Sequence, residues 1–326
     1  MSGDTPKPPS IMAPLAVIVN PVHEEKKKLI CFSASKKQTL TVQQRYYAQH
    51  DPGRVIGYNV DESTTPVLAN PSSLAAMVVD HTICVYGITG NDGNYKATMV
   101  SPGFEPIKNS TPVTTAIAGF NIKQQAYLYY QSVVGTKSCI TEFTFELEGL
   151  GGGGDSSHLT SLAPAPATRL AATTDESGNR WIAYQDKDLA IHVYNVKKNK
   201  EDTIAQTRPD EGSRLAKAKT PLAISIVHDN GRPVHLYVYY VDETDFACVV
   251  SSSIADGYRL DFNTDAQKVV NLNGRGANRT FKVQAWSELA VLPYPGREGK
   301  ASNLLFAVKA DAPGDAVSQT ECDEWK

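Results

Sequence analysis

The chain has 326 residues, 41% of them hydrophobic and 21% charged, with 32 basic against 35 acidic side chains and a formal charge of -3. That balance belongs to a chain able to bury a sizeable core; it argues against disordered and fibrous classes and makes nucleic acid an unexpected partner. No uninterrupted apolar window of about 18 residues occurs, so no membrane-spanning helix is expected.

Residues 1–10 are polar and Pro-rich, without the charged-then-apolar order of a signal peptide. The expected location is cytoplasmic, or secreted if a leader has been removed. The sequons at Asn109 and Asn278 matter only in the second case. Beyond residue 13 helical periodicity is nearly absent. Short alternating runs of Val, Ile, Tyr and Thr recur between clusters of Gly, Pro, Asn and Asp, the pattern of an all-β protein.

A Leu-Ala or Ile-Ala pair opens an apolar run six times, at Leu15-Ala16, Leu74-Ala75, Ile117-Ala118, Leu170-Ala171, Leu222-Ala223 and Leu289-Ala290. The spacing is near the roughly 40 to 50 residues of a four-stranded propeller blade, with extra length in loops. The expected fold is therefore all-β, a six-bladed β-propeller of antiparallel four-stranded blades spanning residues 1–326. Blades are expected to begin near residues 14, 73, 116, 169, 221 and 288. Small Ala suits an innermost strand, where blades converge.

A second, aromatic-rich strand follows each opening, including Ile83-Cys84-Val85-Tyr86, Tyr127-Leu128-Tyr129-Tyr130-Gln131 and Trp181-Ile182-Ala183-Tyr184-Gln185. Third strands follow in several units, among them Leu40–Tyr47, Cys139–Phe145 and Ile191–Val196. The lysine runs at 26–28 and 197–200 read as solvated turns. Residues 149–168, rich in Gly, Pro and Ala, read as a loop between blades three and four. The sixth unit has room for only three strands, and the segment before Leu15 is expected to supply a fourth and close the ring.

Five cysteines, at 31, 84, 139, 248 and 322, form no CxxC pair and lie mostly in strand-like runs, so they read as buried apolar residues with neither zinc nor a disulfide framework. No nucleophile elbow, HExxH helix, dinucleotide fingerprint or Walker loop occurs. No cofactor and no metal are expected.

The Leu-Ala openings and the strands ending in Tyr129-Tyr130-Gln131 and Ala183-Tyr184-Gln185 resemble those of the fungal fucose-binding lectin family, six-bladed propellers of about this length. The resemblance covers essentially the whole chain and implies sugar pockets between blades. Each such pocket is expected to use an Arg at the start of the second strand, a Glu on the third and stacking aromatics. In this sequence the arginine positions read as Ile30, Cys84, Tyr127, Trp181, His235 and Leu304, none of them Arg. Arg180 lies one residue before Trp181, the one place where a shift of register would restore it. Only Glu142 matches the acidic position.

Pockets that exchange Arg and Glu for aromatic and aliphatic groups favour a hydrophobic small-molecule partner. The chain is similar in this respect to the fungal hetero-Diels-Alderases of tropolone-sesquiterpenoid pathways, which use no cofactor. That resemblance implies a cycloaddition of a quinone-methide-like heterodiene with a terpene alkene, catalysed by geometry and a hydrogen-bond donor. Tyr127 and His235 are the catalytic candidates; Trp181, Tyr129, Tyr237, Trp286 and Glu142 are the substrate-binding candidates. The alternatives are a divergent fucose-type lectin and a non-catalytic scaffold. Each candidate also has a plainer explanation: strand packing for the tyrosines, a structural histidine for His235, and a solvent-facing carboxylate for Glu142.

Overall fold

The computed structural model describes residues 14–21, 28–34, 38–46, 56–59, 68–79, 81–91, 93–146, 153–175, 177–204, 215–229, 232–255, 259–262, 267–269, 280, 282–285, 287–295, 301–310 and 317–324. Alternating β-branched and aromatic runs pair there into six antiparallel sheets.

The first sheet is β1 (Leu15–Val19), β2 (Lys28–Ala34), β3 (Leu40–Tyr46) and β4 (Ile56–Asn59). The second is β5 (Leu74–Val79), β6 (Thr82–Thr89), β7 (Lys96–Ser101) and β8 (Glu105–Pro106). The third holds β9 (Ile117–Ile122), β10 (Gln125–Val134), β11 (Lys137–Glu146) and β12 (Asp155–Leu159), and the fourth β13 (Leu170–Thr174), β14 (Arg180–Gln185), β15 (Ile191–Asn195) and β16 (Lys200–Thr203). The fifth comprises β17 (Ala223–Asp229), β18 (Arg232–Val241), β19 (Ala247–Ala255), β20 (Arg259–Asp261) and the short β21 (Gln267–Lys268) beside β19. The sixth is β22 (Ala290–Pro295), β23 (Ala301–Val308) and β24 (Val317–Glu324). Each innermost strand packs against those of both neighbouring sheets, and β22 meets β1, closing the ring.

The Leu-Ala pair owes its recurrence to this geometry. Successive strand residues point to opposite faces, so Leu15, Leu74, Ile117, Leu170, Leu222 and Leu289 pack toward the preceding sheet, while Ala16, Ala75, Ala118, Ala171, Ala223 and Ala290 pack toward the following one. Both sets wall a narrow central cavity of about 130 Å³. At one mouth, Arg169 of the fourth sheet and Glu288 of the sixth approach to 3.0 Å across the axis, both side chains buried.

Hydroxyls two residues before the pair tie each entering segment to the second strand of its own sheet. Thr168, Thr220 and Ser287 accept the N–H of Gln185, Val241 and Val308 at 2.8–2.9 Å. The Tyr-Gln endings act between blades. Gln131 donates to the Ala165 carbonyl and accepts the Ala167 N–H; Gln185 donates to the Leu189 and Lys217 carbonyls and accepts the Lys219 N–H. Each glutamine thus fixes the segment that leads into the next blade.

One segment departs from the sequence reading. Asp155–Leu159, expected within the 149–168 loop, is the outer strand of the third sheet, with Ile140 opposite Leu159 and Thr144 opposite Asp155. Its polar Asp155-Ser156-Ser157-His158 run carries no apolar alternation because it is an edge strand exposed along most of its length. The segment expected to complete the sixth sheet, residues 1–13, lies outside the described residues. Cys31, Cys84, Cys139 and Cys248 are all buried thiols.

Candidate functional site

Strand register identifies equivalent positions in every cleft between sheets. The residue paired with the fourth residue of each Leu-Ala run faces the next blade: Ile30, Cys84, Tyr127, Trp181, Tyr237 and Leu304. In the fifth sheet this residue is Tyr237, because Ser225 lies opposite it; His235 lies two residues further out, opposite Val227. The next register position faces the preceding blade and holds Leu29, Ile83, Ala126, Arg180, Leu236 and Asn303.

Arg180 therefore reaches back from the fourth sheet into the cleft with the third, where it meets Glu142. The contact is bidentate, Nε to Oε2 at 2.9 Å and Nη2 to Oε1 at 3.2 Å. Such fork geometry is stronger and more directional than a point-charge contact. Glu142 stands opposite Tyr129 in the β10–β11 ladder and accepts its hydroxyl proton at 2.6 Å. The guanidinium also lies 4.9 Å from the centroid of the Tyr127 ring, within cation-π range. Phe120 completes the wall, stacked on Tyr127 with centroids 5.5 Å apart and tilted toward Tyr129 at 5.9 Å.

The electrostatics follow from burial. Tyr129 is fully buried, and desolvation, reinforced by the Glu142 carboxylate, pushes its phenol well above the ordinary value of 10, against the opposing pull of Arg180. It is a proton donor throughout the physiological range. Burial also raises Tyr127, partly offset by the Arg180 charge. For Arg180 itself burial acts to lower the pKa, but the hydrogen bonds and charge of Glu142, with the two tyrosines, outweigh it and hold the cation.

Among the described residues, this pair occurs in no other cleft. At the Glu142 position stand Val42, Met99, Val193, Val249 and Gln319. A neutral counterpart occurs between the fifth and sixth sheets, where Asn303 donates to the Tyr239 hydroxyl at 2.7 Å and accepts from Ser225 at 3.0 Å.

The sequence candidates thus divide among three clefts. Tyr127, Tyr129 and Glu142 come together between sheets three and four. Trp181 is completely buried in the apolar core between sheets four and five, among residues such as Leu236 and Val238. His235 and Tyr237 lie edge to face, centroids 6.2 Å apart, on the side of the fifth sheet toward the sixth. Trp286 lies outside the described residues. Phe120 is the member that sequence reasoning left out; Arg180 stood out there only as a possible shift of register beside Trp181, and the register of β13 against β14 places it in this cleft.

No family model matches the chain. It is 25% identical over 246 residues to a "wall-associated proteinase" of Coccidioides immitis, covering 71% of this chain and 74% of that protein, and 24% identical to the protein of the same name from Coccidioides posadasii, with the same coverage. Among solved structures, an arginine-to-alanine triple variant of AofleA from Arthrobotrys oligospora superposes with a TM-score of 0.64 at 11% identity, covering 95% of this chain and 83% of that one. The fucose-binding lectin of Aleuria aurantia, described as a six-bladed β-propeller, gives 0.58 at 14% identity over 95% and 91% of the two chains. The SapL1 lectin in complex with α-methyl fucoside gives 0.57 at 14% over 96% and 97%. The fold is that of the fucose-type lectin propellers.

Proposed function

We propose that the protein is a carbohydrate-binding propeller of lectin type whose working site is the cleft between the third and fourth sheets. The observation that carries this reading is the bidentate Arg180–Glu142 pair set against the Phe120–Tyr127 wall. A sugar presents hydroxyls that donate and accept on its edges and apolar C–H groups on its face. A guanidinium offers five N–H donors, of which Glu142 takes two, and the aromatic wall covers the apolar face. The lectins that share this fold, one of them in complex with α-methyl fucoside, support a glycan as the ligand class. Retention on fucose-agarose and binding to a glycan array test the reading. The wild-type protein is expected to be retained and eluted by free sugar, and Arg180→Ala to lose at least about tenfold in affinity, the worth of one charge-assisted hydrogen bond. Arg180→Lys keeps a charge without the fork and should fall between them. Absence of retention on every glycan, or equal retention by all three proteins, would overturn it.

The second reading is cofactor-free hetero-Diels-Alder cyclisation of a hydrophobic substrate, favoured by the aliphatic and aromatic rim that Phe120, Ile122 and Ala172 give the same cleft. Tyr127 and Tyr129 are its proton donors. It ranks lower because the same cleft holds the Arg180–Glu142 pair and the Tyr129–Glu142 hydrogen bond, polar groups whose desolvation an apolar terpene does not repay. Accelerated adduct formation from a quinone methide and a terpene alkene, with no glycan retention, would reverse the order.

A further inference from the structure

A larger cavity, of about 460 Å³, lies between the first and second sheets, walled by Gln38, Leu68, Ala69, Asn70, Gly90, Asn91 and Tyr95. Antiparallel strand directions place it at the end of the propeller opposite the Arg180 cleft. It is bordered by the β2–β3 turn, the segment entering β5 and the β6–β7 turn, whereas Arg180 begins β14, beside the β13–β14 turn. The volume falls within the range of small-molecule sites, roughly 300 to 1,000 Å³.

The lining has a definite chemistry. Gln38, Asn70 and Asn91 bring three carboxamides, each with two N–H donors and an acceptor oxygen, and Tyr95 adds a hydroxyl. Leu68 and Ala69 supply buried apolar surface. Among the described residues, none that lines the cavity carries a formal charge at neutral pH, and these residues do not repay the desolvation of a phosphate, sulfate or carboxylate. Carboxamides that donate and accept in equal measure match hydroxyl groups, which do the same.

The walls are also held in place before any ligand arrives. The Leu68 N–H donates to the Gln38 carbonyl at 3.0 Å, the Ala69 N–H to the Ile88 carbonyl at 2.8 Å, and the Asn94 N–H to the Asn91 carbonyl at 2.9 Å. Gly90 has φ of +93°, and a Cβ there would lie 2.2 Å from the Asn94 carbonyl oxygen, so the turn carrying Asn91 and Tyr95 requires glycine. Gln38, a non-glycine residue, is held at φ of 64°, in the left-handed region. Preorganised walls reduce the ordering cost of binding.

From this lining we infer a second ligand site, for a neutral saccharide, between the first and second sheets, separate from the Arg180 cleft and not dependent on it. A chain with both sites can hold two glycans at opposite ends.

The test uses the full chain on an array of neutral glycans with sialylated and sulfated glycans alongside. Wild type, Arg180→Ala and an Asn91→Ala/Tyr95→Ala double variant are compared, with circular dichroism and thermal melting to confirm folding; Asn91 is exposed and Tyr95 partly so. Neutral glycans that bind Arg180→Ala as they bind wild type, and that bind the double variant at least about tenfold more weakly, are the expected result. The inference is overturned if no neutral glycan binds Arg180→Ala, if the double variant retains the same glycans equally well, or if anionic glycans are the ones lost. Failure of the Arg180 reading shows differently, as an array on which no glycan at all loses binding in Arg180→Ala, whatever the double variant does.

Discussion

Removal of the Glu142 carboxylate is the sharpest perturbation of the interblade cleft. The side chains of Glu142 and Arg180 are 8% and 19% exposed, so Glu142→Ala strands a largely desolvated guanidinium and leaves the buried Tyr129 hydroxyl without its acceptor. Breaking one partner of a buried ion pair costs about 3–5 kcal/mol. The partial exposure of Arg180 lets water recover some of this, which places the loss at about 2–3 kcal/mol. At about 2.1 cal/mol/K per residue, 326 residues give an unfolding entropy of about 0.7 kcal/mol/K, so Tm should fall by about 3–4 °C. Differential scanning calorimetry on the wild type, Glu142→Ala, Arg180→Met and the double variant reads both the loss and the coupling. The double variant should be less destabilised than the sum of the singles, because it no longer buries an unpaired charge. A fall below 1 °C in Glu142→Ala, or strict additivity, would refute the assignment of Arg180 to Glu142.

Gln185→Ala removes two donated bonds and one accepted bond to the segments around Leu189 and 217–219. At about 0.5–1.5 kcal/mol each the loss is about 2–3 kcal/mol, with earlier proteolytic nicking as the readout. Gly119→Ala places a Cβ 2.6 Å from the Tyr127 carbonyl oxygen and 2.8 Å from Met77 Cε, so backbone has to shift and about 1–3 kcal/mol is lost, measured by denaturant midpoint. Burial raises the Glu288 carboxyl above its ordinary 4.5 against the lowering influences of Arg169, Lys217 and Ser73. A raised folded-state pKa means that the carboxyl's contribution is fully present below about pH 4.5 and lost as pH rises through the folded value. Wild type should therefore lose ground to Glu288→Gln in Tm between pH 4.5 and 7; a gap independent of pH would contradict this. Cys31, Cys84, Cys139 and Cys248 are all buried and should resist iodoacetamide in the folded protein, becoming reactive on denaturation, as mass mapping would show.

The six Leu-Ala pairs and their aromatic second strands were enough to read an all-β propeller, because an inner strand flanked by two blades demands small and branched side chains at a period of two whatever the loops do. Glu142 and Tyr127 were legible as candidates through the resemblance to the lectin family, which puts them at its acidic and arginine positions. Which face each residue occupies was not legible. Trp181 and Arg180 are chain neighbours, yet one closes the core between sheets four and five while the other turns into the cleft between sheets three and four. His235, two residues from the position it was matched to, shows the same sensitivity. A single residue of register exchanges the two sides of a strand, and the pairing of β14 with β13, which the sequence does not display, sets that register. The cavity walled by Gln38, Asn70, Asn91 and Tyr95 is a product of tertiary structure altogether, since stretches far apart in sequence and with no shared motif meet there only when the first two sheets pack together.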